Sequence, residues 1–88
     1  MIEREGTIVN SLGMHARPAA QVVRLASTFV AAIELEHDGQ TVNAKSIMGV
    51  MTLAAECGAV VRVRADGDDA EAAVIALIDL IAKGFGET

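Results

Sequence analysis

The chain has 88 residues and a formal net charge of −5, from 7 Lys and Arg against 12 Asp and Glu. That length allows one domain, residues 1–88, and the acidic balance with only two Phe, no Trp and no Tyr excludes a phosphate-binding or base-stacking surface for nucleic acid. Ala inflates the apolar fraction of 52%, but Val, Ile, Leu and Met still suffice for a modest aliphatic core, and 22% charged residues argue against disorder.

Along the chain the apolar period switches between two and 3.6, so strands and helices alternate. Arg4 to Asn10, with Thr7, Ile8 and Val9, reads as a first strand, closed by Asn10-Ser11-Leu12-Gly13. Gly6 falls inside it, where a side chain is expected to pack better. From Pro18 to Phe29 an apolar stripe of Ala19, Val22, Val23, Ala26 and Phe29 marks a helix, with Gln21, Arg24 and Thr28 on another face. Pro18 suits a first helical turn and disfavours a helical Arg17 before it. Ala32 to His37 alternates, Ile33 and Leu35 against Glu34 and Glu36, and Asp38-Gly39 turns it into a partner strand, Gln40 to Asn43.

Ser46 is placed to cap a short helix over Ile47 to Ala54, broken by Gly58. Ala59 to Ala65 forms a further strand, with Val61 and Val63 opposed to Arg62 and Arg64. In the last helix Ala70, Ala73, Val74, Leu77 and Ile81 make the buried stripe. Asp68 and Glu71 have capping-box spacing, although Asp69 is an alternative cap, and Gly84 is the C-terminal stop. The order βαββαβα with a central hairpin predicts an α+β open-faced β-sandwich. In it a four-stranded, mainly antiparallel sheet is covered on one face by three helices and wet on the other.

A lone Cys57 allows no intrachain disulfide, as a cytosolic protein requires, and two His with one Cys make no convincing zinc site. Met1-Ile2-Glu3-Arg4-Glu5 lacks the apolar run of a signal peptide, and charges interrupt the chain too often for a membrane span. A cytoplasmic, monomeric protein without an anchor, metal or cofactor is expected. His37 reads as an exposed residue before a turn, Cys57 as a packed or partly exposed thiol, and Glu34 and Glu36 as solvated charge.

Chemistry concentrates in Gly13-Met14-His15-Ala16-Arg17-Pro18, which joins a strand end to a helix start. Backbone N–H groups and the helix dipole favour an anion there. A His at that point is either a nucleophile or a surface residue that helps cap the helix. Arg17 adds a permanent cation suited to phosphate oxygens, and Pro18 fixes the helix entrance.

The run Gly13 to Ala19 closely resembles the phosphohistidine signature of HPr, the histidine-containing phosphocarrier family of the bacterial sugar phosphotransferase system. A second block, Asn43 to Met51, resembles that family's regulatory serine segment, and the element order matches its open-faced sandwich. The resemblance implies that His15 accepts a phosphoryl group at Nδ1 from phospho-enzyme I, which draws it from phosphoenolpyruvate. His15 then passes the group to a His on an enzyme IIA domain. Arg17 and the backbone N–H of Ala16 are implied as phosphate stabilisers and Pro18 as the residue that sets helix-start geometry. Ser46 is implied as the target of an HPr kinase/phosphorylase, and Ala20, Arg24, Ser27, Ile47, Met48 and Met51 as the partner face. An alternative within the same resemblance is a regulatory module of nitrogen or carbon control that acts through partner binding. Relatives of that kind lack the active histidine, whereas His15, Arg17 and Pro18 all stand here.

Overall fold

Alternation of inward and outward side chains decides how the four strands assemble. In the computed structural model, which describes residues 1–87, these are β1 (Ile2–Thr7), β2 (Ala32–His37), β3 (Gln40–Asn43) and β4 (Val60–Asp66). They pair antiparallel throughout in the order β1-β4-β2-β3, so β4 fills the gap between the first two strands. The register sets Leu35 opposite Val63 and Ile33 opposite Ala65, and all four are buried. Asp38 and Gly39 hold positive φ, 52° and 79°, the turn that matches strand twist in the β2–β3 hairpin.

Three helices, α1 (Ala16–Ala26), α2 (Ile47–Thr52) and α3 (Ala70–Ala82), cover the inner face. The apolar stripe of α3 is buried as its spacing predicts, and the helix lies across β1, β4 and β2. Burial of side chains such as Leu77 and Ile81 contributes about 1.5–3 kcal/mol each. Helix α1 buries Ala19, Val22 and Ala26 and packs against α2 and α3. Among the described residues no helix is long and apolar enough to cross a membrane.

Several boundaries differ from the sequence expectation. The first strand lies at Ile2–Thr7 instead of Arg4 to Asn10. Ile8 and Val9 have strand-like side chains, but Ile8 already bonds a loop, its N–H donating to the Ala59 carbonyl at 2.8 Å. Gly6 lies close under α3: a Cβ there would stand 3.2 Å from Ile78 Cδ1 and 3.3 Å from Ile81 Cγ2, so its absence lets α3 approach β1 without those side chains shifting. Helix α1 begins at Ala16, so Arg17 is helical despite preceding Pro18. In the first turn the proline ring meets no earlier helical carbonyl and removes no intrahelical bond, which keeps the cost low. Helix α2 ends at Thr52, where Ala54 with φ of 53° turns the chain well before Gly58. The last strand is shifted by one residue, to Val60–Asp66.

The cap of α3 also differs. Asp69 occupies the N-cap position, yet its carboxylate turns outward and accepts the N–H groups of Val30 and Ala31, both at 2.8 Å. These donors, Val30 foremost, hold its carboxyl below the ordinary aspartate value against a smaller opposing effect of burial. Asp69 therefore ties the α1–β2 connection to the start of α3.

The outer face of the sheet is polar but not free. Arg62 meets Glu5 at 3.0 Å and Glu36 at 3.8 Å, while Arg64 meets Glu3 at 2.9 Å, Glu34 at 3.6 Å and Glu36. Glu34 and Glu36, expected as solvated charges, are thus members of a cross-strand network. Each such partly exposed pair adds at most about 1 kcal/mol.

Candidate functional site

The segment between β1 and α1 is fixed before it reaches His15. Gly13 has φ of 68°, and a Cβ on it would lie 2.6 Å from the Ala55 carbonyl oxygen and 2.9 Å from Glu56 Cα. Only glycine fits against the α2–β4 connection at this point. The next residue, Met14, is buried and donates its N–H to the Ala55 carbonyl at 2.8 Å. His15 follows in extended conformation as the N-cap of α1, and its carbonyl accepts the Ala19 N–H at 3.0 Å.

The start of α1 is chemically open. No side chain caps it, and its first turn carries no acidic residue. Pro18 has no N–H, and the His15 N–H is taken by the Gly13 carbonyl at 3.0 Å. The N–H groups of Ala16 and Arg17 are therefore the first-turn donors without an intrahelical acceptor. Together with the helix dipole they favour a bound anion. Arg17 is exposed and has no carboxylate partner among the described residues, so its guanidinium is available to phosphate oxygens.

The His15 ring is held from one side. Its Nε2 lies 2.9 Å from Glu87 Oε2 and 3.1 Å from Oε1, whereas Nδ1 makes no hydrogen bond among the described residues. The ring stays 35% exposed and the Glu87 side chain 16%, so the contact is sheltered while the other ring edge remains reachable. Asn10, buried below, donates both Nδ2 hydrogens, one to the Gly13 carbonyl at 2.8 Å and one to Glu87 Oε1 at 2.9 Å. Its Oδ1 has no partner among the described residues.

Glu87 reaches this place through an unusual turn after α3. Gly84, Phe85 and Gly86 all have positive φ, 63°, 57° and 77°. For Phe85 that conformation costs about 1–2 kcal/mol. Burial of the Phe85 ring, and the bond from Gln21 Nε2 on α1 to its carbonyl at 3.1 Å, offset the cost. Sequence reasoning missed Asn10, Phe85 and Glu87, since their partners lie up to 77 residues away. The one local signal is the Gly84-Phe85-Gly86 spacing after the helix stop.

The second motif is also ordered. Ser46 is the N-cap of α2, its Oγ accepting the Gly49 N–H at 3.2 Å. Met48 is 75% exposed, and Ile47 and Met51 are also solvent-facing. Ala20 and Arg24 on α1 and its C-cap Ser27 follow i, i+4, i+7 spacing opposite the buried stripe. Since α1 packs on α2, the two sets lie on neighbouring helices.

The remaining singletons stay apart from His15. His37 is half-buried, not exposed as expected, with Nδ1 3.2 Å from the Val60 carbonyl oxygen. Cys57 is exposed, its Sγ 3.9 Å from the Val9 carbonyl oxygen.

Comparison with known proteins agrees with this arrangement along nearly the whole chain. The family model described as PTS HPr component phosphorylation site matches residues 2–83. The chain is 48% identical over 87 residues to the phosphocarrier protein HPr of Cupriavidus necator, covering 99% of this chain and 98% of that protein. It superimposes on the crystal structure of HPr-C-His from Thermoanaerobacter tengcongensis with a TM-score of 0.95 at 51% identity, covering 100% and 99% of the two chains. A crystal structure of an HPr dimer from the same organism matches with a TM-score of 0.79 at 52% identity, covering 99% and 100%.

Proposed function

Because the chain belongs to the HPr family, the phosphocarriers of the bacterial sugar phosphotransferase system, we propose that it carries its phosphoryl group on His15. As a carrier it is consumed and regenerated stoichiometrically and is not itself an enzyme. The observation that supports the assignment most strongly is a half-exposed His15 at the uncapped start of α1, with Nδ1 unoccupied among the described residues.

His15 attacks through the Nδ1 lone pair and takes the group from phospho-enzyme I, then yields it to the His of an enzyme IIA domain. Phosphoryl transfer through a loose transition state asks for alignment and charge stabilisation above all. Arg17 and the N–H of Ala16 supply the stabilising charge and donor, and Pro18 sets the helix start. A clamp this light suits a carrier that must release its cargo. The whole chain, residues 1–88, acts as one cytoplasmic domain and as a monomer, which size-exclusion chromatography would test against the dimer described for the Thermoanaerobacter tengcongensis protein.

Ser46 is the regulatory position of this reading, modified by an HPr kinase/phosphorylase. Phosphate at a helix N-terminus is electrostatically tolerated, so the modification adds charge without melting α2. That charge falls on the face where Ala20, Arg24, Ser27, Ile47, Met48 and Met51 meet the partner enzymes. Incubation with enzyme I and phosphoenolpyruvate, followed by intact-mass measurement, tests the assignment. One acid-labile phosphoryl group is expected on the wild type and none on His15→Ala. An unmodified wild type, or a label that persists in His15→Ala, contradicts it.

A further inference from the structure

We propose that Met48 and Met51 form an oxidation-sensitive site: a peroxide converts their thioethers to sulfoxides, turns the docking face polar and reversibly lowers phosphoryl flux through His15. The proposal rests on the carrier reading above and on the partner face assigned to α1 and α2. It extends both to a covalent modification outside His15 and Ser46.

Exposure supplies the first argument. Of the four methionines in the chain, Met48 is 75% and Met51 44% exposed, whereas Met14, next to His15, is 5% exposed and belongs to the core. Peroxide reaches the first two sulfurs and is shut out from the third, so the reaction spares the packing beneath the site. Met1 is also exposed, at 79%, but it precedes β1 and lies outside both helices.

Placement supplies the second. Met48 and Met51 stand three residues apart in α2 and share a face of the helix with Ile47, also exposed. Gly49 and Val50 turn the other way. A Cβ on Gly49 would lie 3.4 Å from both Ser46 Cβ and Val42 Cβ, and Val50 is fully buried. Val50 and Leu53 therefore hold the helix to the core, while the two thioethers make up its outward apolar surface. A flexible thioether suits an adaptable apolar contact, and the sulfoxide is polar.

The chemistry balances without any group from the site. The thioether sulfur attacks one peroxide oxygen, and the S–O bond forms as the O–O bond breaks. The electron pair of that bond leaves on the second oxygen, which also receives the proton of the first. With hydrogen peroxide the by-product is water, and the two electrons lost by sulfur are those gained by the peroxide. A thiol-dependent sulfoxide reductase reverses the step, two thiols becoming a disulfide while the oxygen leaves as water.

The test uses the full chain carrying Cys57→Ser, because the exposed Cys57 thiol would also take oxygen. This parent is treated with hydrogen peroxide, freed of it, and mixed with untreated enzyme I and phosphoenolpyruvate. Peptide mass mapping should place one added oxygen on each of Met1, Met48 and Met51 and none on Met14, with the melting temperature unchanged. The KM for the carrier should rise about tenfold or more at constant kcat, the loss of about one methionine side chain from the apolar contact, and reductase treatment should restore it. The double variant Met48→Leu/Met51→Leu, whatever its starting rate, should be indifferent to peroxide although Met1 still oxidises. The proposal is overturned if Met48 and Met51 resist oxidation, if oxidised and unoxidised parent transfer equally, or if the double variant loses as much as the parent. Oxygen on Met14 with a fallen melting temperature also overturns it, since damage to the core then explains the loss. In all these cases the unoxidised parent still takes its phosphoryl group and the carrier reading stands. If the unoxidised parent takes none, the carrier reading fails and this role falls with it.

Discussion

Replacing Gly13 by Ala should destabilise the chain by about 2–6 kcal/mol and slow phosphoryl acceptance at His15. Three effects add up to that figure. Alanine at φ of 68° costs about 1–2 kcal/mol, because the left-handed region crowds its Cβ. The new Cβ would stand 2.6 Å from the Ala55 carbonyl oxygen, so the two loops must part by several tenths of an ångström, at about 1–3 kcal/mol for overpacking. The displacement loosens the Met14 N–H to Ala55 bond, worth about 1 kcal/mol. Reduced freedom of the unfolded chain returns about 0.4–1 kcal/mol. Gly39→Ala is the matched control: its φ is 79°, but nothing lies within 4 Å of the added Cβ. The control should lose only about 1 kcal/mol, the conformational part alone. Urea denaturation of wild type and both variants measures the difference. In thermal melts Gly13→Ala should fall by about 10–30 °C for a domain of this size. If Gly13→Ala costs no more than Gly39→Ala, the close approach to Ala55 does not anchor the site, and the reasoning fails.

Arg17→Ala should keep its circular dichroism spectrum yet slow both acceptance and donation about tenfold or more, since the developing charge loses its cation; unchanged rates in stopped reactions would mean that the helix-start N–H groups suffice. Ser46→Asp should keep α2, because a carboxylate is an acceptable N-cap, but weaken transfer from enzyme I, with the gap narrowing as salt rises. Equal rates for Ser46→Asp and wild type at low salt would show that this face does not sense charge. Asp69 has a lowered folded-state pKa, so its contribution is present above the unfolded value and is lost as pH falls through the folded one. Melting temperatures should accordingly fall less steeply on acidification in Asp69→Asn than in wild type, and parallel curves would refute the tie to Val30 and Ala31.

Much of the fold is legible in local pattern because local pattern causes it. The hairpin from Ala32 to Asn43 has the expected ends, since strict alternation and an Asp-Gly turn leave one register. The stripe of α3 is buried residue for residue, because five apolar side chains on one helical face have no other stable location. Ends of elements were less legible where side-chain preference and hydrogen bonding part company. Ile8 and Val9 look like strand, but the ladder stops at Thr7 and Ile8 pairs with a loop. Arg17 looks excluded from the helix by Pro18, yet a first turn has no hydrogen bond to lose.

The candidate site divides in the same way. His15, Arg17 and Pro18 are contiguous, and the chemistry that they suggest is written in adjacent residues. The support beneath them is long-range. Asn10 is a polar residue in a turn whose burial depends on Glu87 and Gly13, and nothing nearby marks it. Phe85 carries a conformation that only its packing and Gln21 maintain. Glu34, Glu36, Arg62 and Arg64 were readable as an outer face, but their pairing followed only once β4 was known to lie beside β2.

A carrier must surrender what it accepts, so onward transfer tests the central claim most directly. The chain is phosphorylated with enzyme I and phosphoenolpyruvate, freed of both, and mixed in single turnover with an enzyme IIA domain while intact masses of both proteins are followed. The account predicts that the phosphoryl group leaves His15 and appears mole for mole on the IIA histidine, without any metal or nucleotide added. A phosphorylated chain that keeps its group, or loses it only to water, would contradict it.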